Sequence, residues 1–398
     1  MTRLALPVLA YTFSLAVACA VATPVSATDS GAAPILVELD HAGLLRDREA
    51  FLTDASSGRA ARVGLLRKAD EALAQPVLSV MDKRALPPSG DKHDFYAIGQ
   101  LAWPNPKTPD GMPWVRRDGA PNSAARGDDY DKARYNLTVE RINTLAAAWH
   151  LTREEKYAAR AATLLRTWFT EPATRMNPHF RYASALPGVH DGMYIGIIEG
   201  VVLVRMVDHV NLLALSGSWT PADNDALRGW FRAYTTWLLE SDFGKQEAAM
   251  VNNHGIWYAA QVATFALYSG DRDRAKFALN LARRQIGNQI AADGSFPAEM
   301  KRVRSRMYTA YALRAFAVSA RCGDYLGEDL WHYQADNGRR LELVFDYLAP
   351  FLREEKNWPG HTGPDRYLAR ALRPFYRRAS EIYQTPGLAE TVAFLEKL

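Results

Sequence analysis

Asn252-Asn253-His254 opens an apolar, helix-periodic stretch, placing two amides and an imidazole at one helix start. An asparagine there can cap free backbone N–H groups, and for Asn252 that is the simpler role. His254 then falls in the first turn, where the helix dipole disfavours imidazolium and a neutral ring can accept a proton. Asn253 offers an uncharged N–H donor. Taken alone, His254 also reads as a hydrogen-bonded core histidine. Further on, Lys301, Arg302, Arg304 and Arg306 crowd a short run that ends near Tyr308. If they converge they make an anion site, although the usual fate of a charge run is a solvated face. In helical geometry Arg302 shares a face with Arg306, and Arg304 with Tyr308. A phenol ionises more easily beside cations, and such a tyrosine can both take and return a proton. Its plainer role is a half-buried helix residue.

Other chemistries find no support. The nine histidines form no HExxH pair and no clustered acidic loop is present, so no metal is expected. GxGxxG, Walker and GxSxG patterns are absent, so no nucleotide cofactor and no serine-elbow hydrolase is indicated. Two cysteines, Cys19 and Cys322, exclude a zinc ribbon, an iron–sulfur cluster and a disulfide scaffold. With 48 basic and 44 acidic residues the net charge is +4, too small for a nucleic-acid stripe and compatible with a local anion site. Paired carboxylates for glycoside hydrolysis stay open, because they are rarely near in sequence; Glu299 and Asp191 are the places to look.

Residues 1–27 read as a secretory signal: Arg3, an apolar run from Leu4 to Ala22, and small residues at Val25-Ser26-Ala27. Cleavage after Ala27 removes Cys19, leaves Cys322 unpaired and sends residues 28–398, one domain, to the periplasm or the exterior with no membrane attachment. That domain is a succession of amphipathic patterns, expected as helices near 57–74, 137–150, 154–169, 193–214, 221–239, 254–269, 272–290, 307–321, 339–353, 365–383 and 387–397. In 154–169, Tyr157, Ala161, Leu164, Leu165 and Trp168 recur at helical spacing. Period-two alternation is nearly absent, so any sheet is minor. Short turns make successive helices antiparallel neighbours, which predicts an all-α fold, an α/α toroid of helix hairpins. Three segments break the pattern: 94–126, 176–192 and 291–306. Long irregular segments in a compact domain are usually functional, and in a toroid they would gather at one mouth and line a cleft.

In combination these segments resemble the alginate-lyase superfamily of polysaccharide lyases, across most of residues 90–380. The resemblance rests on Trp103-Pro104-Asn105-Pro106 with Asp110-Gly111 and Arg116-Arg117-Asp118-Gly119. It continues through Pro187-Gly188-Val189 with Gly196-Ile197-Ile198, Asn252-Asn253-His254-Gly255 with Trp257-Tyr258, and Glu299-Met300 with Arg302, Arg304-Ser305 and Tyr308. The family's Asn-His pair, followed some fifty residues later by an Arg and a Tyr, matches the 54 positions from His254 to Tyr308. The resemblance implies β-elimination on a 1,4-linked polyuronate, an anionic polysaccharide, without water or cofactor. Asn253 and Arg302 would neutralise the uronate carboxylate. Tyr308 would protonate the leaving oxygen and remove the C5 proton when both lie on one sugar face. His254 would be the base for the other face, or would polarise Tyr308. Arg304 and Arg306 are candidates for neighbouring carboxylates, and Trp103, Arg116 and Arg117 for the groove, unless the Arg-Arg-Asp-Gly turn merely folds its own loop. Arg302 and Arg304 compete for one role, the family spacing favouring the first and helix geometry the second. Relatives often carry two aromatics before the tryptophan where Leu101 and Ala102 stand here, which reduces a sugar platform and brings a β-1,4-glucuronan lyase into view beside alginate. A hydrolase and a non-catalytic polysaccharide-binding protein on the same fold are the remaining alternatives. The sequence leaves the oligomeric state undetermined.

Overall fold

One helix organises the molecule. In α8 (Asn253–Tyr268) every residue except His254 is buried, so α8 is wrapped on all sides and meets open space at its N-terminal turn. In chain order the computed structural model, which describes residues 34–398 apart from 57, 118–119 and 361–364, contains α1 (His41–Leu52), α2 (Arg59–Ala74), α3 (Lys132–Thr152), α4 (Glu155–Leu165), α5 (Val202–Leu213), α6 (Pro221–Glu240) and α7 (Asp242–Ala248). After α8 follow α9 (Arg272–Gln289), α10 (Pro297–Met300), α11 (Ser305–Leu326), α12 (Glu342–Leu352), α13 (Arg366–Tyr383) and α14 (Pro386–Glu396). The expected leader, 1–27, lies outside the described residues.

Helices joined by short turns pack side by side, α3 on α4, α8 on α9 and α13 on α14, and α8 also touches α5, α6, α7 and α11. This is the α/α toroid expected from the periodicity. Capping sets several boundaries: Thr220 and Asp223 form a capping box ahead of Pro221, and the Asp271 side chain accepts from the Arg274 N–H. The stretch expected as one helix over 193–214 divides into a 3₁₀ helix, Tyr194–Val201, and α5. Close packing accounts for the tight helix: a Cβ at Gly196 would stand 2.6 Å from that of Ala183. Three helices went unanticipated: α1, with no buried residue, and the short α7 and α10.

The strands are few and short. β1 (Tyr96–Ile98) pairs in parallel with β4 (Tyr182–Ala185), and β2 (Ala102–Trp103) pairs antiparallel with β3 (Val115–Arg116). β1 and β4 join the first two irregular segments to each other, and β2 and β3 close a hairpin within the first. A buried ion pair fixes their footing: Lys83 Nζ lies 3.0 Å from Asp131, both side chains fully enclosed, and Asp131 also accepts the Tyr96 N–H at 2.9 Å. Asp131 immediately precedes α3, so the start of that helix and strand β1 share one anchor.

Candidate active site

Asn252 caps α8, its Oδ1 accepting the His254 N–H at 2.9 Å. The chain must turn sharply to enter the helix there, and a Cβ on Gly255 would stand 2.0 Å from the Met250 carbonyl oxygen, so glycine is required. This leaves the His254 ring one-fifth exposed, its Nδ1 2.7 Å from Glu247 Oε1 on α7. Glu247 is almost fully buried, and burial holds its carboxyl pKa above the usual value although the His254 contact pulls against it. A carboxylate facing Nδ1 selects the tautomer with the proton on that nitrogen, which leaves Nε2 as a proton acceptor.

The neighbouring Asn253 is buried and differently engaged. Its backbone N–H and Nδ2 both donate to Glu299 Oε1, at 2.6 and 2.9 Å. Glu299 sits on α10 with 1% exposure, so it orients the amide rather than offering a free carboxylate. One N–H of the amide remains for another acceptor.

The same residue ties α8 to the basic run. The Glu299 carbonyl accepts the Arg302 N–H at 3.0 Å, and the Arg302 guanidinium lies 3.9 Å from the centre of the Tyr308 ring. The guanidinium thus covers one face of the phenol ring. Arg304 is exposed and caps α11, which begins at Ser305. The helical-face argument linking Arg304 to Tyr308 therefore does not apply; the connection between them is the Tyr308 N–H donating to the Arg304 carbonyl at 3.0 Å. Arg306 points elsewhere. It lies 3.5 Å from Asp365 and lines a separate cavity with Phe351 and Trp358.

His254 opens into a cleft of about 270 Å³ walled by Gly99–Ala102, Arg116, Lys132, Ser184–Leu186, His190, Met193, Ile195, Ile198 and Glu199. The first two irregular segments thus meet at one mouth, as the toroid reading expects. Leu101 and Ala102 form part of this wall. Trp103 turns aside: its Nε1 donates to the Ala120 carbonyl at 2.8 Å and Arg117 stacks over its ring at 5.2 Å. Neither Arg302 nor Tyr308 lines the cleft. Tyr311, on the same helix as Tyr308, feels both the Tyr308 phenol and the Glu199 carboxylate, though burial is the main cause of its raised pKa. Contacts run from Asn253 to Glu299, from Glu299 to Arg302 and from Arg302 to Tyr308, while of these candidates His254 lines the cleft. The fold brings Arg116 to the cleft and leaves Arg304 and Arg306 outside it. No group of three or more His, Cys, Asp or Glu suited to a metal is found among the described residues.

Sequence reasoning missed Glu247, Lys132 and Glu199, and it placed Glu299 in the family motif and as a place to look under a hydrolase alternative, not as the partner of Asn253. A polar residue seven places before His254 is visible in the sequence, but a turn intervenes, so spacing alone does not pair them.

The toroid thus carries a carboxylate-backed imidazole at its cleft, a glutamate-anchored amide next to it in sequence, and a guanidinium-covered phenol near the start of α11. Residues 79–358 match the alginate lyase family, and the chain belongs to it. An alginate lyase of Pseudomonas syringae pv. tomato is 27% identical over 142 residues, 35% of this chain and 36% of the relative. One from Cobetia marina is 32% identical over 136 residues, 33% of this chain and 35% of the relative. The alignments thus span about a third of these relatives' length. The crystal structure of an alginate lyase from Bacteroides ovatus superimposes with a TM-score of 0.79 at 29% identity, over 91% of this chain and 95% of that one. Alginate lyase A1-III from Sphingomonas species A1 shares the fold, with a TM-score of 0.53 at 15% identity over 87% of this chain and 88% of that one.

Proposed function

We propose that the protein is a polysaccharide lyase that cleaves 1,4-linked polyuronate, alginate first, by β-elimination, leaving a 4,5-unsaturated uronate at the new end. The C5 proton of a uronate is a poor acid while its carboxylate is charged. Asn253, with one N–H to spare, and Arg302 would lower that charge and stabilise the enolate-like state, an effect worth ~10²–10³ in kcat per donor. The C5–H bond then breaks toward a base, a double bond forms between C4 and C5, and the C4–O bond breaks as Tyr308 gives its proton to the leaving oxygen. His254, steadied by Glu247, serves as base for a C5 proton on the face away from Tyr308. Tyr308 serves as both base and acid when the proton lies on its own face. Arg116 contacts the chain in the cleft, and Arg304 and Arg306 stand outside it.

The single observation that carries this reading is the Glu247–His254 contact, which frees Nε2 at the wall of a cleft. The wall at Leu101 and Ala102 offers no aromatic platform, which keeps a second substrate, β-1,4-glucuronan, beside alginate. A leader over 1–27 would deliver the enzyme to the periplasm or the exterior; no described helix is long and apolar enough to cross a membrane. Elimination creates an ultraviolet-absorbing enol-carboxylate that hydrolysis and mere binding do not. Absorbance should rise with polymannuronate, polyguluronate or glucuronan, and Tyr308→Phe should abolish the rise. A Tyr308→Phe enzyme with undiminished elimination would overturn the assignment, and cleavage without absorbance would place the protein among hydrolases.

A further inference from the structure

The cleft that His254 lines also carries a charge pair that the elimination chemistry does not use. Lys132 Nζ hydrogen-bonds Glu199 Oε1, with 18% of the lysine side chain and 11% of the glutamate exposed. Both ends are rigidly mounted. Lys132 is the first residue of α3 and follows the fully buried Asp131, which is held by Lys83 and by the start of β1. Glu199 lies in the 3₁₀ helix packed under β4, and its carbonyl accepts the Tyr135 hydroxyl at 3.3 Å. Glu199 is also the single carboxylate among the described residues that wall the cleft. Its placement is at odds with simple attraction of a polyanion. A uronate carboxylate set here would meet the glutamate as well as the lysine, and the two contributions oppose each other.

A sugar hydroxyl has no such conflict. It donates one hydrogen bond and accepts others, so two adjacent hydroxyls can bridge the pair, one donating to Glu199 and one accepting from Lys132. Hydrogen bonds to charged partners are the stronger kind. We propose that Lys132 and Glu199 form a specificity subsite that reads the free vicinal hydroxyls, O2 and O3, of a uronate ring held in the cleft beside His254, and that it rejects rings acylated at those oxygens. An ester removes the donor that Glu199 requires and adds bulk against a wall formed by Ile195, Ile198 and Met193. The inference rests on the polyuronate reading, and its test separates the two.

Binding and elimination are measured in parallel on unsubstituted polymannuronate and on the same polymer O-acetylated at O2 and O3, with wild type, Glu199→Gln and Lys132→Met. Wild type should bind and cleave the unsubstituted polymer better by roughly tenfold to a hundredfold, the range for a lost charged hydrogen bond. Glu199→Gln keeps the shape and should weaken the unsubstituted polymer by a similar factor, mainly in KM. It should also compress the ratio between the two polymers, which general damage to the fold would not do. Lys132→Met reports on the accepting hydroxyl and should compress the ratio in the same direction. An unchanged ratio in both variants, or wild-type binding indifferent to acetylation, overturns the subsite. Binding that is acetyl-sensitive without any elimination would remove the lyase reading and keep the subsite, and binding to neither polymer would remove both.

Discussion

Glu247→Gln tests whether His254 is a working base or only a core histidine that happens to reach the cleft. At 2.7 Å between Oε1 and Nδ1, the charge centres of carboxylate and imidazolium stand about 4 Å apart, worth about 4 kcal/mol at an effective dielectric of about 20. The amide keeps the shape and one hydrogen bond but loses the charge. The imidazolium that forms as the C5 proton moves then loses part of that stabilisation. Partners behind a functional imidazole typically contribute ~10–100-fold, about 1.4–2.7 kcal/mol of barrier. The assay is the initial rate of ultraviolet absorbance on polymannuronate and polyguluronate separately. These epimers present the C5 proton on opposite faces, so the loss should concentrate on the one that needs His254, and the activity ratio should move with it. A control is needed, because the other Glu247 oxygen is buried with no hydrogen-bond partner among the described residues. An amide nitrogen there is an unsatisfied donor costing ~1–3 kcal/mol, so the melting temperature should fall too and rates belong well below it. Unchanged rates on every polymer that the wild type cleaves would refute the role of His254 as base.

Two further substitutions address the remaining assignments. Arg302→Ala should lower kcat by ~10²–10³ on each polymer, with Arg304→Ala well below that; the opposite order in purified, folded proteins would give the carboxylate-neutralising role to Arg304. Asp94→Asn bears on the frame of the cleft. Burial alone would raise the Asp94 pKa, but contacts from His179 at 3.0 Å, Ser89 at 2.6 Å and Asn177 at 2.7 Å bring it to about 2 from 3.8. A depressed carboxyl stabilises the fold above its unfolded pKa, here by about 2 kcal/mol, and the contribution disappears as pH falls from about 4 through 2. Wild type and Asp94→Asn should therefore differ in denaturant midpoint at pH 7 and converge toward pH 2. A gap that persists at low pH would rule out this source of stability.

Features set by neighbours in sequence were readable in advance, and features set by distant partners were not. Asn252 as a cap, His254 in the first turn and the short connections that make a toroid are all local. α11 starts at Ser305, two residues before its expected place, and Arg304 stands at its N-cap position. Glu247 stands on a seven-residue helix, too short for periodicity to announce, and its burial comes from the packing of α7 against α8 and the 3₁₀ helix. Lys132 and Glu199 are separated by 67 positions, and nothing in either stretch names the other. The carboxylates make the same point for function. Read as a list, Glu299 and Asp191 were eligible as a hydrolytic pair. In the fold, Glu299 is enclosed and bound twice by Asn253, Glu247 faces His254, and Glu199 reaches the cleft wall, already bonded to Lys132. Hydrolysis of a glycosidic bond needs two carboxyl groups flanking it. Among the described residues that line the cleft Glu199 is the one carboxylate, and with Glu299 held by Asn253 and Glu247 facing His254 this arrangement suits elimination better than a flanking carboxyl pair.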